Sequence, residues 1–264
     1  MNIITLIKQV PDVAKLSQIM DPLKLINDKE ARVINPWDEY AIETGIRLKE
    51  TYGGKVIALS LGEPQADDIL RRSLAMGVDE AVLISDPLLK DSDSLATARA
   101  LAAAINKIGD FDIIIAGRSA IDGNNAATAI QAAVLLGIPQ ISYVAVIRTI
   151  DPLQKTISVM RLIEGGYETI KGKLPLAISV VKEINEPRHP SFIGIRKASK
   201  ANIPIWDISY LGLNSNQVGL AGSFIQWVDL NLPPMRGESA EILKGHPEEV
   251  AKMLANKLSS DKVL

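Results

Sequence analysis

Ile113-Ile-Ile-Ala-Gly-Arg-Ser-Ala-Ile-Asp-Gly-Asn-Asn-Ala-Ala-Thr128 reads as a buried strand, a loop of small and polar residues, and the opening of a helix over 126–136 that Gly137-Ile-Pro139 stops. The strand is a continuous apolar run rather than an alternating one, as expected of a sheet covered on both faces. The same unit recurs upstream. Ile3-Ile-Thr-Leu-Ile7, Val56 to Leu61 and Ala81 to Ile84 are apolar runs, while the stretches opening at Pro36, at Gln65 (to Ala75) and at Ser94 (to Ile108) carry helical spacing. Pro36 suits a first helical position with Asn35 as its cap, and Gly77 suits a C-cap. Such alternation predicts parallel strands joined by crossover helices, that is, an α/β fold with a doubly wound, mostly parallel sheet.

Downstream the rhythm changes. Ile141 to Ile147, Thr156 to Arg161, Tyr167 to Ile170 and Leu176 to Val181 read as successive strands, with Gly165-Gly166 as a hairpin turn, and predict added antiparallel strands. From Asn185 onward prolines and isolated helical turns dominate. Phe224-Ile-Gln-Trp-Val228 and Pro233-Pro234 suggest an extended C-terminal arm, and Val250, Met253, Leu254 and Leu258 place an amphipathic helix over 247–258. The expected organisation is an α/β domain over 1–184 and a further segment plus arm over 185–264.

Composition removes several function classes. Lysine plus arginine total 29 against 31 acidic residues, a net charge of -2, which disfavours a nucleic-acid binder. With no cysteine there is no disulfide, thiolate metal site or cysteine nucleophile, and two histidines leave little for a histidine metal site or a Ser-His-Asp triad. His189 and His246 read as surface residues, Met76 and Met160 as core filler. No signal peptide and no membrane span are legible, so a cytoplasmic location is expected.

Ligands of open α/β sheets bind beyond the carboxyl ends of the strands, which places Gly117, Arg118, Ser119, Ala120, Ile121, Asp122, Gly123, Asn124, Asn125, Ala126, Ala127 and Thr128 at such a crevice. Small residues admit a ligand to the backbone, and the N–H groups of a new helix attract phosphate. The same loop is also readable as an ordinary connection capped by Asn124 or Asn125. It is neither a P-loop nor a dinucleotide fingerprint. Lys8 to Asp12 and Asn35 to Asp38 fit a structural loop and a helix cap. Asp91-Ser-Asp93-Ser94 fits a cap whose hydroxyls reach a phosphate if it borders the crevice. Arg188, Arg196, Lys197 and Lys200 form a basic string, read as a solvated face, around Phe192 and Ile193, an apolar pair suited to docking.

Lys8-Gln-Val-Pro-Asp12, Asn35-Pro-Trp-Asp-Glu-Tyr-Ala-Ile-Glu43, Ala75-Met-Gly-Val-Asp79, Gly117-Arg-Ser-Ala-Ile-Asp-Gly123, Gly165-Gly-Tyr-Glu-Thr169, Lys173-Leu-Pro175 and Asn185-Glu-Pro-Arg188 together resemble electron transfer flavoprotein beta subunits, in order over nearly the whole chain. The resemblance implies an adenine nucleotide α-hydrolase-like domain with an arm wrapping a larger, flavin-bearing alpha subunit. It implies nucleotide contacts at Leu6, Asn35, Pro36, Trp37, Asp38, Leu61, Ser94, Thr97 and the Gly117 to Thr128 loop. His189, Pro190, Ser191, Phe192, Ile193, Arg196 and Lys197 would form a recognition loop for a dehydrogenase partner, with Phe192 as the apolar anchor.

Tyr40-Ala-Ile-Glu43, Asp93-Ser-Leu-Ala-Thr97, Gly166-Tyr-Glu168 and Val181-Lys-Glu-Ile-Asn185 resemble the anaerobic, often electron-bifurcating members. These imply FAD in this subunit, NADH as hydride donor, a flavin dehydrogenase of acyl-CoA or lactate type, and ferredoxin as a low-potential acceptor. AMP, held structurally, is the alternative. The chain has Asp122-Gly-Asn-Asn-Ala-Ala-Thr-Ala129 where those members read Asp-Gly-Asp-Thr-Ala-Gln-Val-Gly, which alters the charge beside the phosphates. A stand-alone nucleotide-binding stress protein on the same fold is a third reading, against which the long tail argues.

Overall fold

The computed structural model describes residues 1–18, 32–226, 228 and 240–263. The chain divides into two compact units, Met1–Trp227 and Val228–Leu264.

In the first unit β1 (Asn2–Leu6) leads to a short antiparallel ribbon, β2 (Gln9–Pro11) with β3 (Arg32–Ile34), and then to α1 (Pro36–Tyr52). There follow β4 (Lys55–Leu61), α2 (Asp67–Met76), β5 (Glu80–Ile84), α3 (Ser94–Ile108), β6 (Ile113–Gly117) and α4 (Thr128–Leu135). Next come β7 (Gln140–Asp151), β8 (Thr156–Ile163), β9 (Gly166–Lys173) and β10 (Leu176–Val180). The unit closes with α5 (Phe192–Ala198), β11 (Ile205–Trp206) and α6 (Gly219–Gly222).

One nine-stranded sheet runs β11-β5-β4-β1-β6-β10-β7-β8-β9. Every pair from β11 to β7 is parallel, and β8 and β9 continue the sheet antiparallel. The α/β class and the antiparallel extension agree with the sequence reading. Two strands of the expected antiparallel run join the parallel body: β7 pairs parallel with β10, and Leu176–Val180 pairs parallel with both β6 and β7. The side chains of Leu176–Val180 are buried throughout, and only a slot covered on both faces satisfies that pattern. Glu164 and Gly165 form the two-residue hairpin loop between β8 and β9, Gly165 at φ 81°.

Alternation along the central strands makes two cores. Ile3, Val56, Ile113 and Ile115 face α1 and α2 through Ile42, Ile46, Ile69 and Leu70. Ile4, Leu6, Leu59 and Ile114 face α3 and α4 through Ala98, Leu101, Ile105 and Ala132. Each fully buried isoleucine or leucine contributes about 1.5–3 kcal/mol relative to exposure. Helix α1 lies close on the sheet because Gly45 has no side chain; a Cβ there would stand 3.0 Å from Thr5 Cγ2 and 3.2 Å from Val56 Cγ1.

Some boundaries move. A 3-10 turn over Pro64–Ala66 precedes α2, so the helix proper starts at Asp67 rather than Gln65, and α4 starts at Thr128 rather than Ala126. Ala126 holds φ 56°, a left-handed conformation that a helix cannot include. Met76 is buried, but Met160 is half-buried on β8, where its sulfur accepts from Arg148.

In the second unit α7 (Pro247–Ser260) carries the expected amphipathic spacing, buries no side chain, and pairs Lys257 with Glu241. Pro233 and Pro234 of the expected arm lie outside the described residues.

Candidate functional site

Strand order reverses at β1, which has β4 on one side and β6 on the other. That switch point is where open α/β sheets hold ligands. A cavity of about 430 Å³ opens there, beyond the carboxyl ends of β1, β4 and β6. Leu6, Asn35, Asp38, Leu61, Ser94, Thr97, Gly117 to Ala120 and Asp122 to Thr128 line it, so most of the expected residues meet in one place. Pro36, Trp37 and Ile121 stand off the wall. Pro36 fills the first position of α1, Trp37 supports Arg118, and Ile121 donates its N–H to Asn35 Oδ1 at 3.2 Å. Lys8 and Ile225 line the cavity without having been assigned to it, and the Asp91 to Ser94 cap does border the crevice. Lys8 was legible in principle, because it follows directly on the strand at the switch point.

Two side chains at the start of α1 knit the cavity together. Asp38 Oδ2 accepts from the Lys8 N–H at 2.8 Å and Oδ1 from the Gly117 N–H at 3.2 Å, tying the end of β1 to the end of β6. Burial pushes the Asp38 carboxyl up to about 7, against the opposing pull of Asn35, of these two N–H groups and of the Lys8 ammonium. Asn35 occupies the N-cap position of α1, but its side chain makes no cap. It reaches across instead, Nδ2 donating to the Ser119 carbonyl at 2.9 Å and Oδ1 accepting from Ile121. The expected cap is therefore a cross-brace of the loop. Gly117 is obligatory for this approach: a Cβ would stand 2.5 Å from Asp38 Oδ1 and 2.6 Å from the Trp37 carbonyl carbon.

The loop after β6 is held by its own polar atoms. Ser119 Oγ donates to Asn124 Oδ1 at 2.9 Å, and the Ala127 N–H donates to Asn125 Oδ1 at 2.9 Å. Neither asparagine caps α4: its N-cap position is Ala127, which provides no side-chain acceptor. The other helix start on the cavity is filled. Asp93 caps α3 by accepting from Ala96 at 2.8 Å, and also accepts from the Phe224 and Ile225 N–H groups at 2.8 and 3.2 Å. Desolvation raises the Asp93 carboxyl, yet these N–H donors outweigh it and hold it below its ordinary value. Of the two helix starts, α4 is thus the one left to an anion. Apolar Leu6, Leu59, Leu61 and Leu101 form the opposite wall, suited to a flat base.

The docking candidates lie elsewhere. Ser191 accepts from the Gly194 N–H and caps α5, while Phe192 and Ile193 point outward, 94% and 84% exposed. Gly194 lets α5 lie on α2, since a Cβ would stand 2.2 Å from the Ala75 carbonyl oxygen. His189 is exposed and Pro190 half-buried; Arg196 and Lys197 lie in the last turn of α5. Arg188, in contrast, is no part of a solvated face: Nε meets Glu43 Oε2 at 2.8 Å and Nη1 meets Glu50 Oε1 at 2.6 Å. Among the described residues there is no histidine and carboxylate cluster placed to hold a metal, and no helix long and apolar enough to cross a membrane.

Residues 23–210 match the family described as "Electron transfer flavoprotein domain". The chain is 40% identical to an electron transfer flavoprotein subunit beta of Thermoanaerobacterium thermosaccharolyticum over 100% of both chains. It is 38% identical, again over 100% of both, to the caffeyl-CoA reductase-Etf complex subunit CarD of Acetobacterium woodii. A subunit beta of Bacillus subtilis is 36% identical over 99% of this chain and 98% of its own length.

Proposed function

Because the chain belongs to the electron transfer flavoprotein family and aligns end to end with its beta subunits, we propose that it holds an adenine nucleotide in the cavity at the switch point and carries electrons as one half of a heterodimer with an alpha subunit. The observation that supports this is the pairing of an uncapped helix start at Thr128 with an apolar wall inside one cavity of about 430 Å³, within the ~300–1,000 Å³ usual for small-ligand sites. The residues fit the group: the first N–H groups of α4 receive a phosphate, Asn124, Asn125 and Thr128 add neutral donors, and Leu6, Leu59 and Leu61 receive the adenine. Ser94 and Thr97 offer hydroxyls from the wall formed by α3.

The nucleotide is FAD in this reading, with AMP as the alternative. A bound flavin supplies one- and two-electron chemistry from its own ring. The chain then binds and orients it, keeps water from the apolar wall, and holds the phosphate loop through Asp38 and Asn35. No acid–base pair of the chain is needed. Resemblance to the anaerobic members supports NADH as donor, electron bifurcation and ferredoxin as one acceptor. The relative named for a caffeyl-CoA reductase complex supports an acyl-CoA-type dehydrogenase rather than a lactate-type one. Phe192 and Ile193 on α5, with Arg196 and Lys197 beside them, are its docking point, and residues 185–264 supply recognition and the arm. The heterodimer works in the cytoplasm.

The test is to co-express the chain with its alpha subunit and count released nucleotides by HPLC. Two FAD and no AMP per heterodimer support a flavin in this chain. One FAD and one AMP leave it as a structural and docking subunit, and none beyond the alpha-subunit flavin removes the cavity's role.

A further inference from the structure

Lys8 and Asp122 meet at the wall of the cavity, Nζ to Oδ2 at 2.7 Å, with 51% and 28% of their side chains exposed. We propose that Lys8 selects nucleotides by phosphate number: it turns from Asp122 to the second phosphate of a nucleoside diphosphate, favouring a diphosphate group over a monophosphate. This rests on the nucleotide reading of the cavity.

The backbone of Lys8 is pinned on both sides. Its N–H donates to Asp38 at 2.8 Å and its carbonyl accepts from the Asn35 N–H at 2.9 Å. Any response to a ligand is therefore confined to the flexible side chain, whose root stays fixed at the cavity. The start of α4 serves one phosphate; a second phosphate brings charge that requires a further counter-ion. Among the described lining residues, Lys8 and Arg118 are the cations. Arg118 is held against Trp37, its guanidinium carbon 4.3 Å from the ring centre, and its buried Nε has no acceptor; it is open to a phosphate where it stands, whereas Lys8 can turn. Lys8 is committed only to an exposed carboxylate, and exposed ion pairs are weak. A lysine–phosphate contact is charge-assisted and stronger, so the exchange runs toward the nucleotide. Asp122 is then the competitor: it holds Lys8 at the site while the cavity is empty and opposes the phosphate for the same cation.

The experiment uses the full-length heterodimer, freed of the cavity nucleotide and with the alpha-subunit flavin in place, titrated calorimetrically with AMP and with ADP. Wild type is expected to bind ADP more tightly than AMP. Lys8→Met should weaken ADP about ten-fold or more and AMP less than about three-fold, as loss of one charge-assisted contact predicts, with a shallower salt dependence for ADP. Lys8→Arg should restore the preference, and Asp122→Asn should tighten ADP. Equal losses for AMP and ADP in Lys8→Met, no loss in either, or weaker ADP binding in Asp122→Asn would overturn the proposal while leaving the nucleotide site standing. Wild type binding neither nucleotide would overturn the site itself, and this proposal with it. Unchanged melting of Lys8→Met, expected of so exposed a side chain, separates these outcomes from misfolding.

Discussion

Arg188 Nε donates to Glu43 Oε2 at 2.8 Å across 145 residues of sequence, fastening the segment that leads into α5 onto the middle of α1. Glu43 is 2% exposed on its side chain, and Arg47 closes on its other oxygen at 2.5 Å. Asn185 adds two bonds to the same helix, at the Tyr40 carbonyl (3.1 Å) and the Thr44 hydroxyl (2.7 Å). Helix α1 thus holds the cavity loop at its start and the segment proposed for docking along its length.

Arg188→Ala leaves Glu43 buried with Arg47 alone. The expected loss is about 2–3 kcal/mol, below the ~3–5 of a fully buried pair because Arg188 is itself partly exposed. Burial raises the Glu43 carboxyl, but Arg188 and Arg47 outweigh it and hold it below 4.5. The stability it contributes is therefore full above about pH 4.5 and falls away as pH drops through the depressed value. Urea unfolding of wild type and Glu43→Gln at pH 7 and pH 3 checks this: the gap between them should narrow at pH 3.

Asp38 has the opposite sign. With its carboxyl raised from 3.8 to about 7, the folded chain keeps a proton that the unfolded chain releases, so its ionisation costs stability as pH rises from about 4 to 7. The swing is on the order of 4 kcal/mol, three units at about 1.4 each. Asp38→Asn should flatten the pH profile in that window. A profile as steep as wild type would contradict a protonated Asp38 near neutrality.

Gly117→Ala forces a methyl into Asp38 and the Trp37 backbone and should cost about 1–3 kcal/mol, with loss of the nucleotide proposed for the cavity. Gly123→Ala is the matched control, since a Cβ there meets nothing within 4 Å. Calorimetry and nucleotide content of both variants decide the point.

Phe192→Ala should leave stability within about 0.5 kcal/mol, as expected for an exposed side chain. Electron transfer to the proposed dehydrogenase partner should fall by about ten-fold, the loss of one apolar anchor. Full activity with the dehydrogenase would place docking elsewhere.

The parallel body was legible because Ile3 to Ile7, Val56 to Leu61 and Ile113 to Ala116 are nearly continuous apolar runs, and α3 was legible because Asp93 offers a cap and the alanine-rich run ends at Ile108. What sequence could not show is where a polar side chain goes once a distant segment arrives. Asn35 carries every mark of a cap, yet Ser119 and Ile121 claim its side chain. Arg188 reads as one of a basic string until Glu43 and Glu50 stand beside it. The parallel pairing of Leu176–Val180 was hidden likewise, since a run of buried residues does not state its partner.

β10 enters the sheet between β6 and β7, although both are made before it. On the ribosome, the 63 residues that follow Gly117 through Val180 take roughly 3–13 s at ~5–20 residues per second. A β6 that pairs with β1 before β10 is made would present an open edge at the wall of the cavity where Ser179 sits in the finished fold. Open edges of that kind accept any extended segment of suitable hydrophobicity. Fast overexpression crowds many such chains together, so soluble yield should respond to synthesis rate and temperature more than to the stability of the finished molecule.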